Sequence, residues 1–224
     1  MVTTVTRLGC INAHLVREDD GLTLIDTGIS GSAKAILRAA QEAGAPIVRI
    51  ALTHAHNDHV GSVDQLRREL PDAEVLIGER DARFLRGDRS LDPDEPRAKL
   101  RGSYPKRFGT EPTRLLAPGD RLGSLEVVPS PGHTPGHVAY LDTRDRTPIA
   151  GDAFQTLGGI AVAGIVRPLF PLVAMGTWHL PTATESARRL ADLGPARLVV
   201  GHGRTLEDPL PAMREATAVA ERKA

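Results

Sequence analysis

At 224 residues the chain is long enough to bury a sizeable core, and 28 Lys and Arg against 28 Asp and Glu leave no net field to attract nucleic acid or an anionic membrane. A single cysteine, Cys10, excludes an intrachain disulfide, and no uninterrupted apolar run approaches the ~20 residues that span a bilayer. The opening MVTTVTRLGC lacks the basic start and apolar stretch of a signal peptide, so a cytoplasmic protein is expected.

Residues 22–26, LTLID, read as a short strand ending at the turn-forming Thr27-Gly28. Residues 32–43 are rich in good helix formers and stop at Gly44, a C-terminal cap. The apolar, β-branched run 47–53 predicts a buried strand. A helix is expected from about Asp58, with Val60, Val63, Leu66 and Leu70 at helical spacing and Pro71 ending it. Residues 73–78 form another strand. The stretch 87–112 holds four of the 17 prolines and is expected to be irregular. Strands recur at 124–130, 137–142, 147–150 and 197–200, with helices over 182–193 and after Asp208-Pro209. This alternation predicts an α/β architecture.

One regularity cuts across these elements. IVRIALT is followed at once by His54, His56, Asp58 and His59, which hold three of the eight histidines. SLEVVPS runs into His133, TPIA into Asp152 and RLVV into His202. Four apolar strands thus release metal-ligand side chains just past their C-terminal ends, the edge where α/β sheets build their sites. An isolated H-x-H is a solvated turn; this cluster, after a buried strand and with three more donors at strand ends, is a site. Neutral imidazole and carboxylate suit zinc, iron and manganese. The seven divide into His54, His56 and His133 around one ion, Asp58, His59 and His202 around a second, and Asp152 between them. Two ions ~3.5–4 Å apart can hold a hydroxide and polarise a carbonyl or phosphoryl oxygen.

THAHNDHVG, residues 53–61, resembles the T-H-x-H-x-D-H-x-x-G signature of the metallo-β-lactamase superfamily. His133 in PGHTPGH, Asp152 in AGDA and His202 in GHG resemble its later motifs in the same order, and LIDTG (24–28) resembles a further element upstream. The resemblance implies an αββα four-layer sandwich, two mixed sheets face to face with helices outside. It implies a single domain over 1–224, with insertions near the site at about 87–112 and 153–180. It also implies the ligand division above, with two divalent metal ions, zinc first and Mn²⁺ or Fe²⁺ as alternatives. Within the family, glyoxalase II-like thioesterases add a C-terminal helical domain, whereas here only residues 203–224 follow His202. Acyl-homoserine lactonases place a tyrosine shortly after the bridging aspartate; here Ala153, Phe154 and Gln155 follow, and the tyrosines are Tyr104 and Tyr140. Secreted β-lactamases need an export signal, and nuclease members a second domain or long arm.

The expected activity is hydrolysis of an ester, thioester, lactone or amide in a small molecule by a hydroxide held between two metals. Asp58 is the candidate proton acceptor. The alternative is a persulfide dioxygenase with one iron on His56, His133 and Asp152; a non-catalytic metal protein ranks below both. Residues 97–107, RAKLRGSYPKR, hold five basic and no acidic residues and could attract an anionic part of the substrate if they overhang the metals. The apolar stretch 157–178 is expected to wall a pocket, form a lid, or bury itself in a homodimer. Neither nucleic acid nor membrane is expected as a partner. His14 and His137 read as structural or core histidines, His179 as a surface histidine, Asp26 as a loop-fixing hydrogen-bond acceptor and Cys10 as inert.

Overall fold

The computed structural model describes residues 2–224. The first half of the chain builds β1 (Val2–Arg7), β2 (Ile11–Glu18), β3 (Gly21–Ile25), α1 (Ala33–Ala43), β4 (Ile47–Leu52), α2 (Asn57–Val60), α3 (Val63–Glu69), β5 (Glu74–Gly78), α4 (Glu79–Leu85) and β6 (Arg114–Leu116). Its six strands pair in chain order, antiparallel from β1 to β3 and parallel from β3 to β6. The second half supplies β7 (Arg121–Leu122), β8 (Leu125–Pro129), β9 (Val138–Asp142) and β10 (Thr147–Ile149). These form an antiparallel sheet in the order β10-β9-β8-β7. A small hairpin of β11 (Phe154–Gln155) and β12 (Ala161–Val162) precedes α5 (Leu172–Gly176) and α6 (Leu180–Asp192). Then β13 (Arg197–Leu198) pairs with β14 (Leu206–Glu207), and α7 (Leu210–Glu221) closes the fold.

The layers follow from which side of each strand is apolar. In β4, Ile50 and Leu52 face α1 and α3, while Ala51 faces the second sheet; in β5, Val75 and Ile77 face the helices and Leu76 the other sheet. A strand covered on both faces reads as an unbroken apolar run, which is why IVRIAL and EVLIG show no alternation. The seam between the sheets holds Ile25, Ala51, Leu76, Leu125, Val127, Tyr140 and Ile149. Tyr140 is fully buried there, and its hydroxyl donates to the Leu52 carbonyl at 2.8 Å, tying one sheet to the other. On the far side α6 and α7 cover Ala139 and Ala150 through Ala187, Leu190, Met213 and Ala216. The result is helix, sheet, sheet, helix: an αββα sandwich. Truncating a fully buried seam residue such as Leu76 to Ala should cost about 2–5 kcal/mol.

Two local expectations change. The helix expected from Asp58 to Leu70 is broken into α2 and α3 at Gly61-Ser62, because the turn after β3 docks there. Gly61 N donates to Gly28 O at 2.9 Å, and Ser62 N to Thr27 Oγ1 at 3.2 Å. The helix α4, unforeseen in the sequence, follows β5 without a linker. The irregular reading of 87–112 agrees with the structure, where no helix or strand occurs between α4 and β6.

Candidate metal centre

Topology gathers the donors. β8 and β10 run the same way, with β9 running back between them, and β13 continues beside β10 through a parallel bridge, Ile149 to Val199. The C-terminal ends of β8, β10 and β13 therefore open on one edge, delivering His133, Asp152 and His202. β4 delivers His54 from the other sheet, and His56 is the N-cap residue of α2, which carries Asp58 and His59 in its single turn. All five histidines and Asp152 are buried, and the Asp58 side chain is 37% exposed.

Donor atoms from His54, His56 and His133 lie within 4.8 Å of one another, as do those of His54, His59 and Asp152, and those of Asp58, His59 and His202. Asp152 touches both ends of the cluster. Its Oδ2 is 3.3 Å from His133 Nε2 and 3.3 Å from His202 Nε2, and its Oδ1 is 3.3 Å from His59 Nε2. Asp58 Oδ2 lies 3.3 Å from His202 Nε2.

The outward nitrogen of each ring decides what the inward one presents. His202 Nδ1 meets the Cys10 carbonyl at 2.9 Å, and His56 Nε2 meets the Arg101 carbonyl at 3.1 Å. A carbonyl can only accept, so both of those nitrogens carry hydrogen. His59 Nδ1 donates in the same way to Asp26 Oδ2 at 2.8 Å. Thr177 Oγ1 gives its proton to Val173 O and so accepts from His133 Nδ1 at 3.1 Å. Thr53 Oγ1 gives its proton to Asp26 Oδ2 and so accepts from His54 Nδ1 at 3.0 Å. In their neutral form all five rings thus turn a lone pair inward. His56 Nδ1 and His133 Nε2 face each other at 3.0 Å as two acceptors, and His54 Nε2 and Asp152 Oδ1 are buried without a hydrogen-bond partner. Such an arrangement is satisfied by cations, and five imidazoles with two carboxylates fit zinc, iron or manganese.

Charge is distributed unevenly. Burial holds His54 and His133 well below the ordinary histidine value and His56 down at about 4, so these three stay neutral. Burial also opposes a charge on His59 and His202, but Asp152 with Asp26 and Asp58 outweighs it at His59, and Asp152 with Asp58 lifts His202 to about 9. Desolvation works against the charge on half-buried Asp58 and on buried Asp152 as well, yet the histidines beside them keep both well below the usual carboxylate range.

Supporting groups fix the loops. Asp26, at φ +59°, accepts from Thr53 N and Thr53 Oγ1 at 2.8 Å each, as well as from His59. Asp81, on α4 and fully buried, accepts from Ala55 N at 2.9 Å and from Thr134 Oγ1 and Gly136 N at 2.8 Å each. It thereby staples the His54–His56 loop to the His133 loop; burial raises its pKa to about 6, against the pull of those donors. His137 Nδ1 pairs with Ser130 Oγ at 2.8 Å, and its Nε2 accepts from Asp152 N at 3.1 Å. Two glycines allow close approach: a Cβ on Gly201 would fall 2.4 Å from Asp152 Oδ1, and one on Gly102 would fall 2.2 Å from His56 Nε2. Gly102 belongs to the basic segment, which crosses the rim of the site.

The structure brings all seven donors named from the sequence into one cluster. His14 lies in β2, with Nε2 3.2 Å from the Val200 carbonyl, and His179 caps α6 by accepting from Thr182 N. Asp81, Thr177 and the Cys10 carbonyl were not foreseen. Asp81 follows the strand β5, a position that could have flagged it; nothing in the sequence marks the other two.

The model of the metallo-β-lactamase superfamily matches residues 7–202, which span every donor. The chain belongs to this superfamily. It is 48% identical over 212 residues to the uncharacterized protein YobT of Bacillus subtilis (strain 168), covering 95% of this chain and 91% of YobT. To the probable metallo-hydrolase YflN of the same organism it is 30% identical over 207 residues, 85% of this chain and 78% of YflN. Among solved structures, TTHA1623 in a di-iron-bound form superimposes with a TM-score of 0.69 at 30% identity, over 95% of this chain and 96% of that one. As a metallo-β-lactamase superfamily member the chain is a metallo-hydrolase with a His/Asp metal-binding cluster. No helix among the described residues is long and apolar enough to cross a membrane.

Proposed function

We propose that this chain hydrolyses an ester, thioester, lactone or amide bond of a small molecule with two divalent ions. The position of Asp152 carries the reading: one buried carboxylate lies 3.3 Å from an inward nitrogen of His133 and equally close to those of His59 and His202, so two ions would be neighbours sharing it. His54 Nε2, His56 Nδ1 and His133 Nε2 would hold one ion, and Asp58, His59 and His202 the other. Zinc fits this donor set, and so does iron, the metal in the TTHA1623 structure. When bound, such ions supply a nucleophilic water at neutral pH and polarise a carbonyl oxygen.

The protein's own groups then do three things. The outward hydrogen bonds of the five rings hold their lone pairs in place, so little reorganisation accompanies reaction. Val173 and Leu172 wall the site and exclude bulk water from one side. Asp58, whose Oδ2 lies 3.3 Å from His202 Nε2, lines the cavity, where it accepts the proton released as water adds to the carbonyl carbon. It returns that proton to the departing oxygen, sulfur or nitrogen as the bond to the acyl carbon breaks. The products are a carboxylic acid and an alcohol, thiol or amine. The one-iron dioxygenase would leave Asp58, His59 and His202 without a role, and nothing in the site favours it.

Elemental analysis of protein purified without added metal or chelator, paired with assays on esters, thioesters and lactones, tests the reading. About two ions per chain and hydrolysis lost in Asp58→Ala support it. One iron per chain with oxygen uptake on a persulfide would replace it.

A further inference from the structure

Above the donors lies a cavity of about 360 Å³, with His56, Asp58, His133, Asp152 and His202 on its floor. Its two rims differ in chemistry. On one side stands α5, where Leu172 and Val173 line the cavity. Among the described residues, four of the six large hydrophobic side chains that stay exposed fall in the ten residues around it: Val166 (59%), Leu169 (80%), Leu172 (59%) and Met175 (62%). This segment is anchored from behind. Phe170 packs on the His202 ring with centroids 4.9 Å apart, and its carbonyl accepts from Gln155 Nε2 at 3.2 Å. The inward half of 157–178 is therefore core, and the outward half is an apolar lip that reaches the cavity at Leu172 and Val173.

The opposite rim is the basic segment. Trp178 Nε1 donates to Ala98 O at 3.1 Å, His56 Nε2 to Arg101 O, and Asn57 N to Ser103 O at 2.7 Å, which pins the backbone across the mouth. The rims meet where a Cβ on Gly176 would lie 3.7 Å from the Gly102 Cα, and they diverge from there. Beyond Ser103 the segment forms one wall of a second cavity of about 550 Å³, which shares Ile29 and Asn57 with the first and is lined by Lys106, Arg107 and Phe108. Arg97, Lys99, Arg101, Lys106 and Arg107 are all exposed and form no ion pair among the described residues. Just upstream, Arg80, Arg83 and Arg86 are paired with Glu95, Asp92 and Glu111. The carboxylate in the second cavity, Asp64, is already engaged by Gly109 N and Thr110 Oγ1.

We infer that the substrate is an anionic amphiphile: an ester or thioester whose acyl arm is apolar and lies on Leu169, Leu172 and Met175, and whose alcohol or thiol half carries a carboxylate or phosphate held by Lys106 and Arg107. The inference rests on the hydrolase reading for the reaction, and on the two rims for the substrate. The scissile carbonyl sits between them, over the donors.

The test uses thioethers, which bind without being hydrolysed, so it does not depend on turnover. Calorimetry on the protein as purified compares hexyl and methyl thioethers of 3-mercaptopropionate (carboxylate), 2-mercaptoethyl phosphate and 2-mercaptoethanol (neutral). A hexyl anion should bind at least about tenfold more tightly than its methyl counterpart. It should also bind at least about fivefold more tightly than the neutral hexyl compound. The stronger of the two anions names the headgroup. Lys106→Ala/Arg107→Ala should erase the charge preference and keep the chain preference; Leu172→Ser/Met175→Ser should do the reverse. Equal binding of hexyl and methyl compounds, or a charge preference that survives the loss of Lys106 and Arg107, overturns the inference. So does sedimentation showing a dimer that the Leu172→Ser/Met175→Ser pair dissociates, which would assign the lip to a second copy. Metal content and thioester turnover, measured separately, decide the hydrolase reading on its own.

Discussion

The two ends of the donor cluster are built on opposite principles. At one end His54, His56 and His133 are neutral and lean outward on hydroxyls and a carbonyl; only the shared Asp152 touches a ring there, and Asp81 reaches only Thr134 and backbone N–H groups. At the other end His59 and His202 sit among Asp26, Asp58 and Asp152, which hold protons on them against the cost of burial. The difference teaches how one cluster can host two unlike ions. On the two-ion proposal, a divalent ion at the first end would be compensated by Asp152 alone, while one at the second would displace protons and gain Asp58 as well, so its affinity should rise more steeply with pH.

Removing the group common to both ends has the largest expected effect. Asp152→Ala should cut kcat/KM at least about 10³-fold and lower the metal content below two per chain, with the far-ultraviolet spectrum unchanged. Wild-type turnover in that variant would break the shared-carboxylate picture outright. Asp26→Asn acts mainly on the acidic end: an amide keeps one acceptor oxygen where the carboxylate offers two to His59 Nδ1, Thr53 Oγ1 and Thr53 N, which should weaken that site about 10–100-fold in chelator competition, and the three-histidine site, reached only through Thr53, far less. Asp81→Asn is the mirror experiment. With three donors aimed at this side chain, an amide must turn its NH₂ against one of them, which loosens the His54–His56 loop from the His133 loop. Metal at the three-histidine end should weaken by about tenfold or less, because Asp81 touches no ligand directly. Equal losses at both ends in either variant would erase the distinction drawn here.

The smallest effect lies outside the cluster and concerns stability. His14 is buried in β2, and burial depresses its pKa to about 4 in the folded chain. A depressed value means that the native state resists protonation, so the associated stability is complete above the unfolded value of about 6.5 and is lost as pH falls toward 4. Urea denaturation of chelated protein should show His14→Gln losing about 2 kcal/mol less than the parent between pH 7.5 and pH 5. An unchanged pH slope would move that sensitivity to the other buried histidines.

Much of the site was legible because ligand chemistry is local in sequence. H-x-H-x-D-H follows a strand whose burial on both faces shows as an unbroken apolar run, and the later donors each follow such a run. The α1 helix ending at Gly44 and the irregular stretch before β6 were equally readable from propensity and prolines. The break between α2 and α3 was not, since the turn that docks on Gly61-Ser62 comes from residues 27 and 28, distant along the chain.

By itself the sequence named the seven candidate donors, their side-chain chemistry and the order of strands that present them, because side-chain type and strand periodicity are properties of neighbouring residues. Only the tertiary structure decided which nitrogen of each ring faces inward, that Asp81 joins two ligand loops, and that half of 157–178 is core while the other half is a lip. Those outcomes depend on hydrogen-bond partners such as the Cys10 carbonyl for His202, which lies 192 positions away and meets it only when both sheets have packed.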